Sequence, residues 1–270
     1  MNKTERHLPL QQAQHGLQPQ RLLRMDGVSN CRDLGGYPAA DGRPLAWGRL
    51  YRSGTLYHAS AADKQFLLQD LALQQLVDLR NAQECHHEPE PQELISALDY
   101  HHLPVTVAGT SREDIIRLLR QPGTDAAAVL QLANERLVLE HQGEFRHFFQ
   151  VLLQADGPLL FHCTEGKDRT GFASLLLLSA LGVDEPWIMQ DYLLTNRANA
   201  EAVERRLQQA ASMQMDVAVL RQLLLADARY LQQAMLTIRQ HYGSMQAYLQ
   251  QAMGLEKDDI RTLRGYFLQA

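Results

Sequence analysis

The sequence of 270 residues has only three cysteines, Cys31, Cys85 and Cys163, an odd number without paired spacing. That excludes a disulfide-stapled scaffold and points to a reducing compartment. No run approaches the ~18 apolar residues of a membrane span, so no stable membrane insertion is expected. The opening Met1–His7 has no apolar signal core, and the cytoplasm is the expected location, with export as an effector left open. A cationic excess is missing too: 26 Lys and Arg stand against 31 Asp and Glu, for a net charge of -5. This gives no broad footprint for nucleic acid or an anionic membrane, so affinity for anions must be local. No internal repeat is visible. What the chain does have is 45% hydrophobic residues, enough over this length for a sizeable core.

The densest chemistry lies in His162-Cys163-Thr164-Glu165-Gly166-Lys167-Asp168-Arg169-Thr170. Before it, Gly157–Phe161 reads as a short buried strand; after it, Gly171–Leu178 reads as a buried helix. Cys163 is thus placed at a strand end, on a loop that opens a helix. Backbone N–H groups of such a loop, including those of Thr164, Glu165 and Gly166, converge on one spot and favour negative charge there. A phosphate would be held, and a thiolate at Cys163 would be stabilised as a nucleophile. Arg169 supplies a planar fork that grips two equatorial oxygens of a phosphoryl group. Gly166 suits the mid-loop position, where positive φ and close backbone approach are easiest without a Cβ. Thr170 offers a hydroxyl to the sulfur, and Asp168 is the loop residue suited to protonate a leaving oxygen.

The pattern Cys, five residues, Arg, preceded by His and followed by Thr-Gly, resembles the phosphate loop of the cysteine-dependent phosphatases. The run Gly-Lys-Asp-Arg-Thr-Gly is similar to the bacterial and fungal branch described as tyrosine or dual-specificity phosphatases, some of which act on phosphoinositides. Asn30-Cys31-Arg32-Asp33-Leu34-Gly35-Gly36, Arg52-Ser53-Gly54 and Asp78-Leu79-Arg80 also resemble segments of that branch, with Cys31 standing where an aromatic is usual. The resemblance covers roughly residues 25–105 and 157–197. It implies an α/β fold with a small parallel or mixed sheet flanked by helices, no cofactor and no metal. The substrate it implies is a phosphorylated protein, with a phosphoinositide or inositol phosphate as the alternative. A non-catalytic phosphate-binding module is the alternative of another class, but such a module is expected to have lost the Cys, the Arg or the acid. A sulfurtransferase has no call for the Lys-Asp-Arg-Thr-Gly continuation.

Residues 1–23, rich in Gln, read as a loosely attached arm with room for a short strand. Residues 24–270 read as one phosphatase domain carrying a helical insertion near 105–155 and a helical cap near 198–270. Ser60–Asp63 is a capping box for a helix reaching Asp70, and Gln75–Arg80 is a strand whose period of two sets Asp78 and Arg80 against Val77 and Leu79. Asp78 and Arg80 lie at a strand's carboxyl end, so they bind substrate or form a buried pair beneath the loop; Asp78 is also the runner-up acid. Arg32 has the same two readings. Lys167 either meets a second phosphate at the rim, as the resemblance implies, or is a solvated partner of Glu165. Glu84–Glu88, with His101 and His102, invites a metal but reads as a solvated loop, because adjacent histidines on a strand face opposite ways. The apolar positions Val217, Leu220, Leu223, Leu224, Tyr230, Leu231 and Met235 form a stripe that reads as core, with a lid or membrane-facing surface as the minority alternative.

Overall fold

The computed structural model describes residues 21–107, 112–121, 123 and 125–269. Its strands are β1 (Arg32–Asp33), β2 (Leu50–Ser53), β3 (Gln75–Asp78), β4 (Asp99–His102) and β5 (Leu159–His162). They form one sheet in the order β1-β2-β5-β3-β4, antiparallel at β1 and parallel elsewhere. Ser53, His162, Asp78 and His102 fall in one row of the register, so four parallel strands end together. Loops that leave those ends share a single crevice, which is where an open α/β sheet binds ligands.

The period of two decides what each face buries. Leu159 and Phe161 of β5 join Val77 in one core, whereas Leu160 joins Tyr51 and Leu76 in another. The larger core is covered by α5 (Ala126–Glu140), α6 (Gln142–Leu153), α7 (Asp168–Leu181) and α11 (Ala228–Tyr242), with α12 (Met245–Gln251) and α13 (Lys257–Phe267). The smaller one packs under α1 (Ala61–Gln65) and α3 (Gln92–Ala97). A third cluster joins α4 (Arg112–Arg120), α9 (Ala200–Ser212) and α10 (Val217–Leu224) through Leu119, Leu207 and Leu220. The C-terminal stripe is therefore core: Leu220, Leu224, Tyr230, Leu231 and Met235 are all buried. Among the described residues no helix is long and apolar enough to cross a membrane.

Local chemistry explains most boundaries. Ser60 and Asp63 form the expected capping box, and Asp63 also accepts from Asp26 N and Gly27 N, pinning the start of the chain against α1. The helix then runs on to Asp70 as a π-helical turn, Phe66–Asp70. Strand β3 stops at Asp78, two residues before the expected end, because the Asp78 carboxylate accepts from Arg80 N at 2.9 Å and turns the backbone. The Glu84–Glu88 stretch is not a loop but most of α2 (Ala82–His87), started by a capping box in which Asn81 Oδ1 accepts from Glu84 N and Glu84 Oε2 accepts from Asn81 N. Gly182, at φ 86°, ends α7, and α8 (Glu185–Ala198) follows with Pro186 in its first turn. Leu22 bridges Arg32 in the strand-like part of the N-terminal arm; residues 1–20 of that arm, and 108–111 of the expected helical insertion, lie outside the described residues.

A buried charge cluster ties α8 to the sheet. Asp191 accepts from Arg32 Nε at 2.8 Å and from Arg52 Nη1 at 2.5 Å, with all three side chains at most 1% exposed. Burial opposes the Asp191 charge, but the two guanidinium groups outweigh it and bring its carboxyl from 3.8 down to about 2. The stability this carboxylate supplies is complete above its unfolded value and is lost as pH falls from there towards about 2. Replacing Asp191 by Ala leaves two buried arginines without their anion, and urea unfolding is expected to show a loss of about 3–5 kcal/mol at neutral pH. The deficit should shrink as the wild type is acidified through that window, and a loss independent of pH would contradict the assignment.

Candidate functional site

The loop from Cys163 to Lys167 connects β5 to α7, and its carbonyls are held from behind. Thr55 N donates to Thr164 O at 2.9 Å, Asn30 Nδ2 donates to Glu165 O at 3.1 Å and to Gly166 O at 2.9 Å, and Arg52 Nη2 donates to Gly166 O at 2.8 Å. With the carbonyls tied outward, the N–H groups of Thr164, Glu165, Gly166 and Lys167 find no acceptor among the described residues. A ring of free donors at a helix start is a receptor for an anion. Gly166 makes the turn possible: its φ is 64°, and a Cβ there would lie 2.3 Å from Ser53 O. Cys163 heads the loop and is 2% exposed, so the sulfur meets a substrate only at the floor of the site.

Arg169, in the first turn of α7, is aimed by Glu84. Its Nη1 lies 2.6 Å from Glu84 Oε2 and its Nη2 2.7 Å from Glu84 Oε1, a two-pronged pair that fixes the plane of the fork. Thr164 Oγ1 donates to the same carboxylate at 2.5 Å, which joins the loop to the pair. Burial opposes both charges, yet Glu84 is held below the usual carboxylate range by Arg169, and Arg169 is held above its ordinary value by Glu84 and the neighbouring Cys163. Sequence reasoning missed Glu84. The signal was Asn81-x-x-Glu84, a helix-start pattern that would have turned the supposed loop into an element with a defined face.

Asp168 begins α7, its side chain is 26% exposed, and its oxygens meet Tyr192 OH and Lys167 Nζ, each at 3.4 Å. It is therefore reachable, and it has neighbours that orient it. The other acidic candidate is not available: Asp78 is wholly buried, donated to by Arg80, and although burial pushes its carboxyl up, His162 and Arg80 hold it below the usual range. A carboxylate so held cannot carry a proton to a leaving group near neutral pH.

Four expected substrate contacts, Arg32, Asp78, Arg80 and Lys167, lie elsewhere. Arg32 and Arg80 are fully buried and spend their donors on Asp191 and Asn30, and on Asp78, Glu90 and Thr55, so both support the loop from below together with Asp78. Lys167 is not at the rim: it is 1% exposed, and its Nζ donates to Leu223 O at 2.5 Å and to Leu225 O at 3.3 Å. Its charge closes the carboxyl end of α10, a favourable place for a cation. Glu165 does not pair with Lys167 but with Arg206 of α9, at 2.5 Å. Among the described residues the buried Thr170 Oγ1 finds no hydrogen-bond partner, so the expected bond to the sulfur is not formed. Asp78, Glu90 and His162 bring ligand atoms within 4.8 Å of one another, but the Arg80 guanidinium already bonds both carboxylates, so the cation there is a side chain.

Known proteins resemble the chain over most of its length. The model of the tyrosine phosphatase family matches residues 23–269. A Cupriavidus necator protein assigned to the tyrosine-protein phosphatases is 37% identical over 269 residues, covering 97% of this chain and 93% of its own length. The Mycobacterium tuberculosis triple specificity protein phosphatase PtpB is 29% identical over 280 residues, covering 92% of this chain and 99% of its own. Among solved structures, P. aeruginosa TpbA is 19% identical with a TM-score of 0.29, over 70% of this chain and 96% of that one. With the match spanning almost every described residue, the chain belongs to the tyrosine phosphatase family.

Proposed function

We propose that the chain hydrolyses phosphomonoesters of phosphorylated proteins through a phosphocysteine intermediate, with the dual specificity of a phosphatase that accepts more than one phosphoresidue. The observation that carries this reading is the loop itself: free N–H groups above a buried Cys163, with Arg169 locked in plane by Glu84. The Cys163 thiolate attacks phosphorus in line, and the bond from phosphorus to the leaving oxygen breaks as Asp168 delivers its proton to that oxygen. The loop amides and Arg169 neutralise the equatorial oxygens as charge shifts. Water then attacks the phosphocysteine, giving its proton to the Asp168 carboxylate, and the S–P bond breaks to return the thiolate and release phosphate.

The buried position of Lys167 bears on the substrate. A lysine held by Leu223 O and Leu225 O offers no free charge to a second phosphate, so the argument for a phosphoinositide from that residue loses its basis. The name of the Mycobacterium tuberculosis relative, triple specificity, supports a pocket that takes several phosphomonoesters.

Three substitutions test the parts separately. Cys163→Ser should abolish turnover of a phosphotyrosine peptide while retaining binding of vanadate or phosphate; activity within about tenfold of wild type, only ~1.4 kcal/mol in barrier, would sink the mechanism. Asp168→Asn is expected to lower kcat by about 10²- to 10⁴-fold for poor leaving groups and much less for good ones, and to remove the alkaline limb of its pH profile. An unchanged dependence on the leaving group would move the acid elsewhere. Glu84→Gln frees the Arg169 fork, and kcat/KM should fall by about 10²-fold through misplacement alone. Steady-state kinetics that match wild type would show that Arg169 orients itself.

A further inference from the structure

A groove of about 1120 Å³ lies between the segment that precedes β1, helix α8 and the first turns of α9. Four arginines line it: Arg21 and Arg24 from that segment, Arg197 from the last turn of α8 and Arg205 from α9. Its lining carboxylates are two, Asp26 and Glu201, which leaves an excess of two guanidinium groups. The chain as a whole carries a net charge of -5, so this concavity departs in sign from the surface around it. Arg21 is fixed in place, with its guanidinium over the Tyr37 ring at 3.8 Å from the centroid and its Nη1 donating to Asp33 O at 3.0 Å. Arg24, Arg197 and Arg205 are exposed, and among the described residues their side chains have neither an ion pair nor a hydrogen bond. Three unmatched guanidinium groups on the walls of one groove form a receptor for an acidic ligand.

The rest of the lining says what kind of acid fits. Trp187 is 41% exposed and stands beside Tyr37, ring centroids 6.3 Å apart, so an apolar side chain can pack next to the arginines. Exposed aromatic surface interleaved with arginine is the composition of a peptide-binding face. A nucleic acid strand or an anionic bilayer would also have to meet the negative surface outside the groove, whereas a peptide with a few acids matches an excess of two charges. Residues 1–20 carry Lys3 and Arg6 against Glu5, so the chain's own first residues do not bring the missing anion. The groove also adjoins the catalytic loop. Asn30, which lines it, donates to Gly166 O at 2.9 Å, and Arg206, next to Arg205 on α9, pairs at 2.5 Å with Glu165, two residues beyond Cys163. An extended chain covers ~3.3–3.6 Å per residue, so a segment about six to ten residues from a phosphoresidue at Cys163 reaches Arg205.

We propose that this groove docks an acidic, extended segment of the phosphoprotein substrate, its carboxylates on Arg24, Arg197 and Arg205 and an apolar side chain against Trp187. That the segment belongs to the substrate rests on the phosphatase reading; that the groove binds an acidic peptide does not. The three arginines touch no reacting atom, so they act on substrate choice and leave the chemistry at Cys163 alone.

The test uses the full chain and matched phosphotyrosine peptides, one with a block of Glu and Leu about six to ten residues (~20–35 Å) from the phosphotyrosine and one with Gln for each Glu, the block placed on either side in turn. At low salt the acidic peptide should show a kcat/KM about tenfold higher on one side, through KM with kcat unchanged, and added NaCl should erase the advantage. The triple variant Arg24→Gln, Arg197→Gln, Arg205→Gln replaces exposed side chains without partners; it should lose the advantage and still turn over p-nitrophenyl phosphate as wild type does. Equal kcat/KM for both peptides on both sides, or an advantage that survives the triple variant, would overturn the proposal. Fluorescence anisotropy of the labelled, unphosphorylated acidic peptide separates docking from chemistry. It should bind wild type and Cys163→Ser alike, and the triple variant about tenfold more weakly, three exposed charge pairs being individually modest. No binding to wild type would overturn the groove while turnover stands, and binding without turnover of any phosphopeptide would sink the phosphatase reading while the groove stands. Tighter binding of a single-stranded oligonucleotide or of phosphatidylserine vesicles, lost in the same triple variant, would assign the groove to that partner and overturn the peptide.

Discussion

The site depends on one backbone constraint, the turning of three successive carbonyls away from the place where a phosphate would sit. Thr164, Glu165 and Gly166 each give their carbonyl oxygen to a donor behind the loop, and only then do the amides face inward together. Each such bond is worth about 0.5–1.5 kcal/mol net. Their larger effect is geometric, since a loop of this length without them has no reason to aim its N–H groups at one point. The positive φ of Gly166 and its approach to Ser53 belong to the same constraint, because any side chain there would push the loop off β2.

Holding the loop from behind requires buried arginines, and buried arginines require anions. Arg52 binds Gly166 O and is neutralised by Asp191, which also takes Arg32; Arg80 sits between Asp78 and Glu90; Arg169 is matched to Glu84. Ion pairs in such places are poor sources of net stability, since desolvation consumes most of the attraction. Their use here is positional. Because Ser53, His162 and Asp78 share one register row, the pairs sit at the same level of the sheet and can fix the loop from several sides. The C-terminal helices add a contact from above, where Lys167 closes the end of α10 and Asn196 clasps Ala226 from both its amide and its carbonyl side.

Much of this was legible in the sequence where the cause is local. The strand before Cys163, the buried helix after it, the capping box at Ser60 and the glycine at 166 all follow from neighbours a few residues apart. The readings that changed depend on distant chain. Glu84 reaches Arg169 across 85 residues, and no local pattern says which face of α2 meets the loop. Lys167 looked like a rim charge because nothing near it in sequence shows that the end of α10 lands over it. Arg32, Asp78 and Arg80 kept two readings because a charge at a strand end serves a ligand or a neighbour equally well until the partner, Asp191 or Glu90, is seen.

The central claim is that phosphate passes through the sulfur of Cys163, and the most direct measurement is to catch it there. A phosphotyrosine peptide turned over at low pH and quenched in acid within the first turnover should yield protein heavier by one phosphoryl group, with the adduct on the peptide containing Cys163 and absent from Cys163→Ser. Turnover that proceeds with no adduct on that peptide, or with phosphate bound to a different residue, would contradict the account.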